Sequence, residues 1–233
     1  GILCDDVSIY NQGLSFYKDD KCGNFTDVPR NPIKDIGNNE FLGNLVVWLH
    51  PDPRGPFGYL GQMQESGRDQ GHATMAAGLA VDICQTAWNQ GDDLYAYMDN
   101  RIAAGFEYIA LVNSLDASTQ VNDSVPFIPY ERKGLPTESY TATQNGLGGW
   151  GSGRPYWDRV VAHYEGVKGI PMRYSVKMRD KVGVDGGGGD YGGNSGGYDH
   201  LGFSTLTSYR PVSLYPMKGH TPLTLGTRIT YNG

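Results

Sequence analysis

Between residues 69 and 112 the chain carries two consecutive helical patterns with almost nothing between them, and this run constrains the fold most. In residues 69–90, Ala76, Leu79, Ala80, Ile83, Ala87 and Trp88 form an apolar stripe, and Gly91 stops it. In residues 92–112, Tyr95, Met98, Ile102, Phe106 and Ile109 recur at helical spacing. Two helices joined by so short a turn pack as an antiparallel hairpin. Further helical faces are read at Leu3, Val7, Tyr10, Leu14 and Tyr17, over residues 39–49, and from Arg154-Pro155 onward through Trp157, Val160, Val161, Tyr164 and Val167. Residues 18–38 and 113–153, and the connection His50-Pro51-Asp52-Pro53-Arg54-Gly55-Pro56, read as loops. The expected fold is therefore all-α and loop-rich, built from helical hairpins in one domain over residues 1–233.

Composition narrows the function. The chain has a formal charge of −6, which argues against a nucleic-acid partner. It contains no apolar run near the roughly 18 residues of a membrane span. Nine of its 34 glycines fall in residues 183–197, with no Gly-Lys-Ser/Thr after them, so nucleotide binding is not expected. Cys4, Cys22 and Cys84 fit no zinc or thioredoxin spacing; Cys4 and Cys22 could close a short loop as a disulfide, and three buried thiols are the competing reading. Asn24-Phe25-Thr26 and Asn122-Asp123-Ser124 are glycosylation sequons, and with the cysteines they lean towards a secreted glycoprotein.

The densest polar cluster is Gln62-Met63-Gln64-Glu65-Ser66-Gly67-Arg68-Asp69-Gln70-Gly71-His72. Arg68 and His72 share a face at the start of the 69–90 helix, where spare N–H groups and the helix dipole favour a carboxylate. The competing reading is a capping network, with Ser66 or Asp69 as cap and Glu65 paired to Arg68. On the next helix Arg101 and Tyr108 lie seven apart, with Asn100 and Glu107 beside them. His, Tyr, Arg and amide groups with neither metal nor cofactor suit β-elimination in a uronic-acid polymer. In that reaction donors stabilise the enolate-like charge beside the carboxylate, and a His or Tyr moves the proton.

The blocks Gln64–His72, Ala87–Tyr95, Asp99-Asn100-Arg101 with Gly105-Phe106-Glu107-Tyr108, and Gly187–Tyr191 with Asn194–Asp199 and Leu201-Gly202-Phe203 resemble the alginate-lyase superfamily of α/α-toroid polysaccharide lyases, in its branch of glucuronan and alginate lyases. The resemblance runs from about residue 3 to 210. It implies an incomplete (α/α) toroid, with this chain as its C-terminal portion and a possible second chain supplying the rest. It implies a metal-independent lyase acting on an acidic polysaccharide, with His72, Arg101 and Tyr108 catalytic. Gln64, Glu65, Arg68, Gln70, Asn100, Tyr130 and Arg132 would bind substrate, Tyr130 and Arg132 being the alternative Arg/Tyr pair. The Asn-Trp segment expected to neutralise the substrate carboxylate does not occur in this chain. That departure keeps a second reading open, a lectin-like binding protein on a lyase scaffold, and a third, a structural or storage chain.

Overall fold

The computed structural model describes residues 1–18, 42, 45–132, 140–185, 187 and 199–210. In chain order the elements are α1 (Val7–Lys18), β1 (Val46–Pro51), β2 (Tyr59–Met63), α2 (Gln70–Asn89), α3 (Tyr97–Ser114), a 3₁₀ turn (Ser118–Gln120), α4 (Val121–Ser124), β3 (Tyr130–Arg132), β4 (Tyr140–Ala142), α5 (Trp157–Val161), a π-helical segment (Ala162–Lys168), α6 (Arg173–Val182) and α7 (Ser204–Ser208).

Helix makes up 52% and strand 9%, in two small antiparallel sheets, so the expected all-α toroid is replaced by a mixed fold. The decisive correction lies between residues 46 and 63. The connection read as a rigid loop is the turn of a hairpin pairing β1 with β2. Val46-Val47-Trp48-Leu49, the end of the run expected to be helical, opens with two β-branched residues and an aromatic, is too short to sustain a helix and suits a pleated surface. Its register slips between Val46 and Trp48. The second correction is β3 paired with β4, inside the stretch read as loop.

The hairpin lies directly on α3. Gly61 of β2 faces Gly105 of α3; a Cβ on Gly61 would stand 2.7 Å from the Gly105 backbone nitrogen, and one on Gly105 would stand 2.8 Å from a Val46 methyl. Glycine at both positions lets strand and helix backbones approach without side chains between them. Arg101 to Ser114 are all buried, so this helix has no solvent face. Besides the hairpin, α2 and α6 pack on it. Glu107, inside that core, accepts the backbone N–H groups of Tyr174 and Ser175 at 2.9 and 2.7 Å and so holds the first turn of α6.

The helical hairpin is present, with its boundaries moved. Before α3 proper, Met98, Asp99 and Asn100 adopt left-handed backbone (φ 52°, 54° and 61°). Such conformations are unfavourable for residues with a Cβ, and these three turn the chain into Arg101. The buried face of α2 is also rotated. It consists of Ala73, Ala77, Gly78, Ala80, Val81, Cys84, Ala87 and Trp88, whereas the expected core residues Leu79 and Ile83 are 45% and 39% exposed. Small residues allow close helix approach, so they and not the larger aliphatics face inward. Leu79 and Ile83 instead border an apolar groove of about 710 Å³ between α1 and α2, with Ile9, Leu14, Phe16 and Tyr17. No expected site residue lines it.

Cys4 is an exposed free thiol, so the expected bridge to Cys22 is not formed at that end. Cys22 lies outside the described residues, as do Asn24 and most of the glycine tract. Cys84 is buried against the Tyr17 hydroxyl at 3.3 Å, and burial pushes its thiol up to about 12. No helix among the described residues is long and apolar enough to cross a membrane.

Candidate functional site

The Gln64–His72 segment forms a tight turn between β2 and α2. Asp69 is the N-cap of α2, accepting the backbone N–H of His72 at 2.8 Å. Gln70 and Gly71 donate their N–H groups to Gly148 O at 2.7 and 3.2 Å, and Ala73 N–H reaches Asp69 O at 3.2 Å. The first turn is thereby closed from within, so the expected spare N–H groups for a substrate carboxylate are already used. The capping reading holds for Asp69, and Arg68 Nη1 lies 3.5 Å from Glu65 Oε2.

The same carboxylate does more than cap. Its Oδ2 lies 2.7 Å from His72 Nδ1, and Arg68 Nε lies 3.6 Å from that oxygen. A carboxylate beside Nδ1 fixes the proton there and leaves Nε2 as the basic nitrogen. The His72 side chain is 42% exposed, so that nitrogen is open to a ligand. Arg68 is also accessible, and its two ion pairs are long, which makes them weak competitors for an incoming anion. Glu65, Arg68, Asp69 and His72 therefore make one accessible acid–base cluster.

The other expected site residues do not join it at the surface. Gln70 is buried and structural: its amide donates to Gly146 O at 3.0 Å and accepts from Asn113 Nδ2 at 3.0 Å. Gln64 is half-buried; its carbonyl accepts the Tyr130 hydroxyl, which itself accepts Gly67 N–H at 3.1 Å. Tyr130 is buried on Trp48, with ring centroids 4.8 Å apart. Arg132 is in β3, and its side chain lies outside the described residues. Asn100 is half-buried in the left-handed turn.

Arg101 and Tyr108 share a face, as their spacing predicts, but that face is interior. Arg101 is 7% exposed; Nε donates to Val46 O at 2.7 Å and Nη2 to Val47 O at 2.8 Å, at the place where the β1 register slips. A slipped register leaves carbonyls that need donors, and Arg101 supplies them. Tyr108 is fully buried, with its hydroxyl 2.9 Å from Pro126 O and 3.0 Å from Asn145 Oδ1. Burial pushes its ionisation far above that of a free phenol, so it stays protonated.

Around Tyr108 lies a polar network that sequence reasoning missed. The His50 ring stacks on it, 5.9 Å between centroids and 19° between planes. His50 Nε2 is 2.9 Å from Gln62 Oε1, an oxygen that also accepts Ile128 N–H at 2.7 Å, while Gln62 Nε2 donates to Ile128 O at 3.0 Å. An amide oxygen cannot donate, so Nε2 carries the His50 proton. Burial lowers the His50 pKa, against the opposing effects of Gln62 and Asp52. Asn145 is 1% exposed, and its Nδ2 has no partner. Gln62 heads the polar cluster read from the sequence and His50 the connection read as a loop, but only the β1–β2 pairing brings the two together. Asn122 is exposed on α4, and its Oδ1 accepts Asn145 N–H at 3.2 Å.

Among the described residues no group of His, Cys, Asp and Glu is placed to hold a metal ion. The chain matches no family model, no curated protein and no solved structure.

Proposed function

We propose that the protein is a polysaccharide lyase acting on a uronic-acid polymer such as alginate or glucuronan, with His72 at its reacting centre. The observation that supports this reading is the accessible His72, held through Nδ1 by Asp69 at 2.7 Å and flanked by Arg68. In the proposed step Arg68 binds the uronate carboxylate and stabilises the charge that develops on it. His72 Nε2 takes the C5 proton, the C4–C5 double bond forms, and the C4–oxygen bond breaks. The imidazolium returns its proton to the leaving oxygen. This assignment gives His72 both proton transfers, because the Tyr108 and Tyr130 hydroxyls are engaged inside the protein.

The test is incubation with alginate, polymannuronate and glucuronan while following absorbance of the unsaturated uronyl product. Product that disappears in His72→Ala supports the reading; silence on all acidic polymers overturns it. One observation favours the second reading, a carbohydrate-binding protein without turnover: Arg101, expected to act on substrate, spends its guanidinium on Val46 and Val47 carbonyls. Binding on a glycan array with no elimination product would establish it instead.

A further inference from the structure

We propose that a carboxylate-binding site lies where the segment before α5 meets the middle of α2 and the Asp199–His200 corner. Arg154, Tyr156 and His200 are 3%, 2% and 5% exposed there. Each retains a polar atom without a hydrogen-bond partner: Arg154 Nε, Tyr156 Oη and His200 Nε2. Trp157 Nε1 is a fourth, on a ring whose centroid is 4.6 Å from that of Tyr156. Buried polar groups are almost always paired, and an unpaired one is destabilising. Several in one neighbourhood point to an acceptor that arrives from outside.

Two of these residues, Tyr156 and His200, pack on a glycine of α2. The Tyr156 and His200 rings are 5.7 Å apart. A Cβ on Gly78 would stand 2.7 Å from both His200 Nε2 and Tyr156 Cδ1. Helix α2 thus carries its poorest ordinary helix former mid-helix, at the position where a side chain would crowd these two residues. His200 Nδ1 faces Asp82 Oδ2 at 3.8 Å, which leaves its Nε2 as an acceptor, so the donors of the site are Arg154, Tyr156 and Trp157.

The donor set selects the ligand. A guanidinium N–H, a phenol and an indole N–H call for a group that only accepts, and a carboxylate offers two oxygens with a charge to match Arg154. Arg154 already binds one carboxylate this way, donating from Nη1 to Asp199 Oδ2 at 2.8 Å. The Asp199 side chain is 30% exposed, so this edge of the site reaches solvent. The site shares no residue with the His72 cluster, and its test needs no turnover.

Thermal unfolding of the full chain in sodium acetate, sodium glucuronate and sodium chloride at equal ionic strength tests it, on wild type and Tyr156→Phe. Wild type is expected to gain stability in a carboxylate beyond that in chloride. A response to acetate identifies a free carboxylate as sufficient; a response to glucuronate alone identifies a sugar-borne one. Tyr156→Phe removes only an unpartnered hydroxyl, so its Tm without carboxylate is at least that of wild type. Its carboxylate affinity falls about tenfold. Arg154→Lys, which keeps the charge and lacks Nε, weakens binding likewise. Equal responses of wild type and Tyr156→Phe, or no response beyond chloride, overturn the proposal, as does a Tyr156→Phe Tm below that of wild type.

Discussion

One carboxylate oxygen of Asp69 lies 2.8 Å from the backbone nitrogen of His72, and the other lies 2.7 Å from its Nδ1. Helix capping and imidazole orientation are thus one interaction made by one residue. Asp69→Asn retains a cap and changes what faces Nδ1, whereas Asp69→Ala removes both. The alanine variant should lose about 1 kcal/mol of stability and the asparagine variant much less. On the proposed reading both lose turnover by at least about tenfold. Urea denaturation beside the uronyl absorbance assay separates the two effects.

Arg101 should behave as a structural residue. Arg101→Met takes the guanidinium donors away from the buried Val46 and Val47 carbonyls, at a cost of about 2–5 kcal/mol. The midpoint of chemical unfolding should move accordingly. A variant that unfolds like wild type yet fails to process polymer would mean that Arg101 meets substrate after all.

Tyr108→Phe removes one hydroxyl from the Pro126–Asn145 pair of acceptors and should cost about 1 kcal/mol. With His72 carrying both proton transfers, kcat should change little more than stability does. A loss of turnover with polymer binding intact would return the proton-donor role to Tyr108.

The Gly61–Gly105 approach permits no side chain. Gly61→Ala presses a methyl group onto the Gly105 nitrogen, where backbone and not a flexible side chain must yield. Overpacking of this kind costs about 1–3 kcal/mol, read as a drop in Tm.

Acid should destabilise the protein partly through His163. This residue sits in the π-helical segment with its ring 3.7 Å from that of Tyr95, and burial lowers its pKa to about 3. The folded-state pKa lies below the unfolded value, so the folded state resists protonation. The resulting stability is complete above about pH 6.5 and is lost as pH falls towards 3. His163→Phe keeps an aromatic ring there and should flatten the stability profile across that interval.

The sequence made the α2–α3 hairpin, the Asp69 cap and the Glu65–Arg68 pair legible, because each depends on residues three or four apart. What it hid depends on distant partners. Val46–Leu49 is a short apolar run that periodicity cannot assign, and its strand character is settled by pairing with residues 59–63. The seven-residue spacing of Arg101 and Tyr108 correctly put them on one face. Spacing carries no information on whether that face meets solvent, and here the hairpin covers it. Leu79 and Ile83 looked like core because they are large, yet close packing chose Ala77, Gly78 and Val81.

A helix buried on every side has no position at which its backbone can open to water alone. From Arg101 to Ser114 every residue of α3 is buried, and the β1–β2 hairpin, α2 and α6 pack on the helix. Its amides should therefore exchange with solvent only when those neighbours come away together. This part of the molecule should open as a whole.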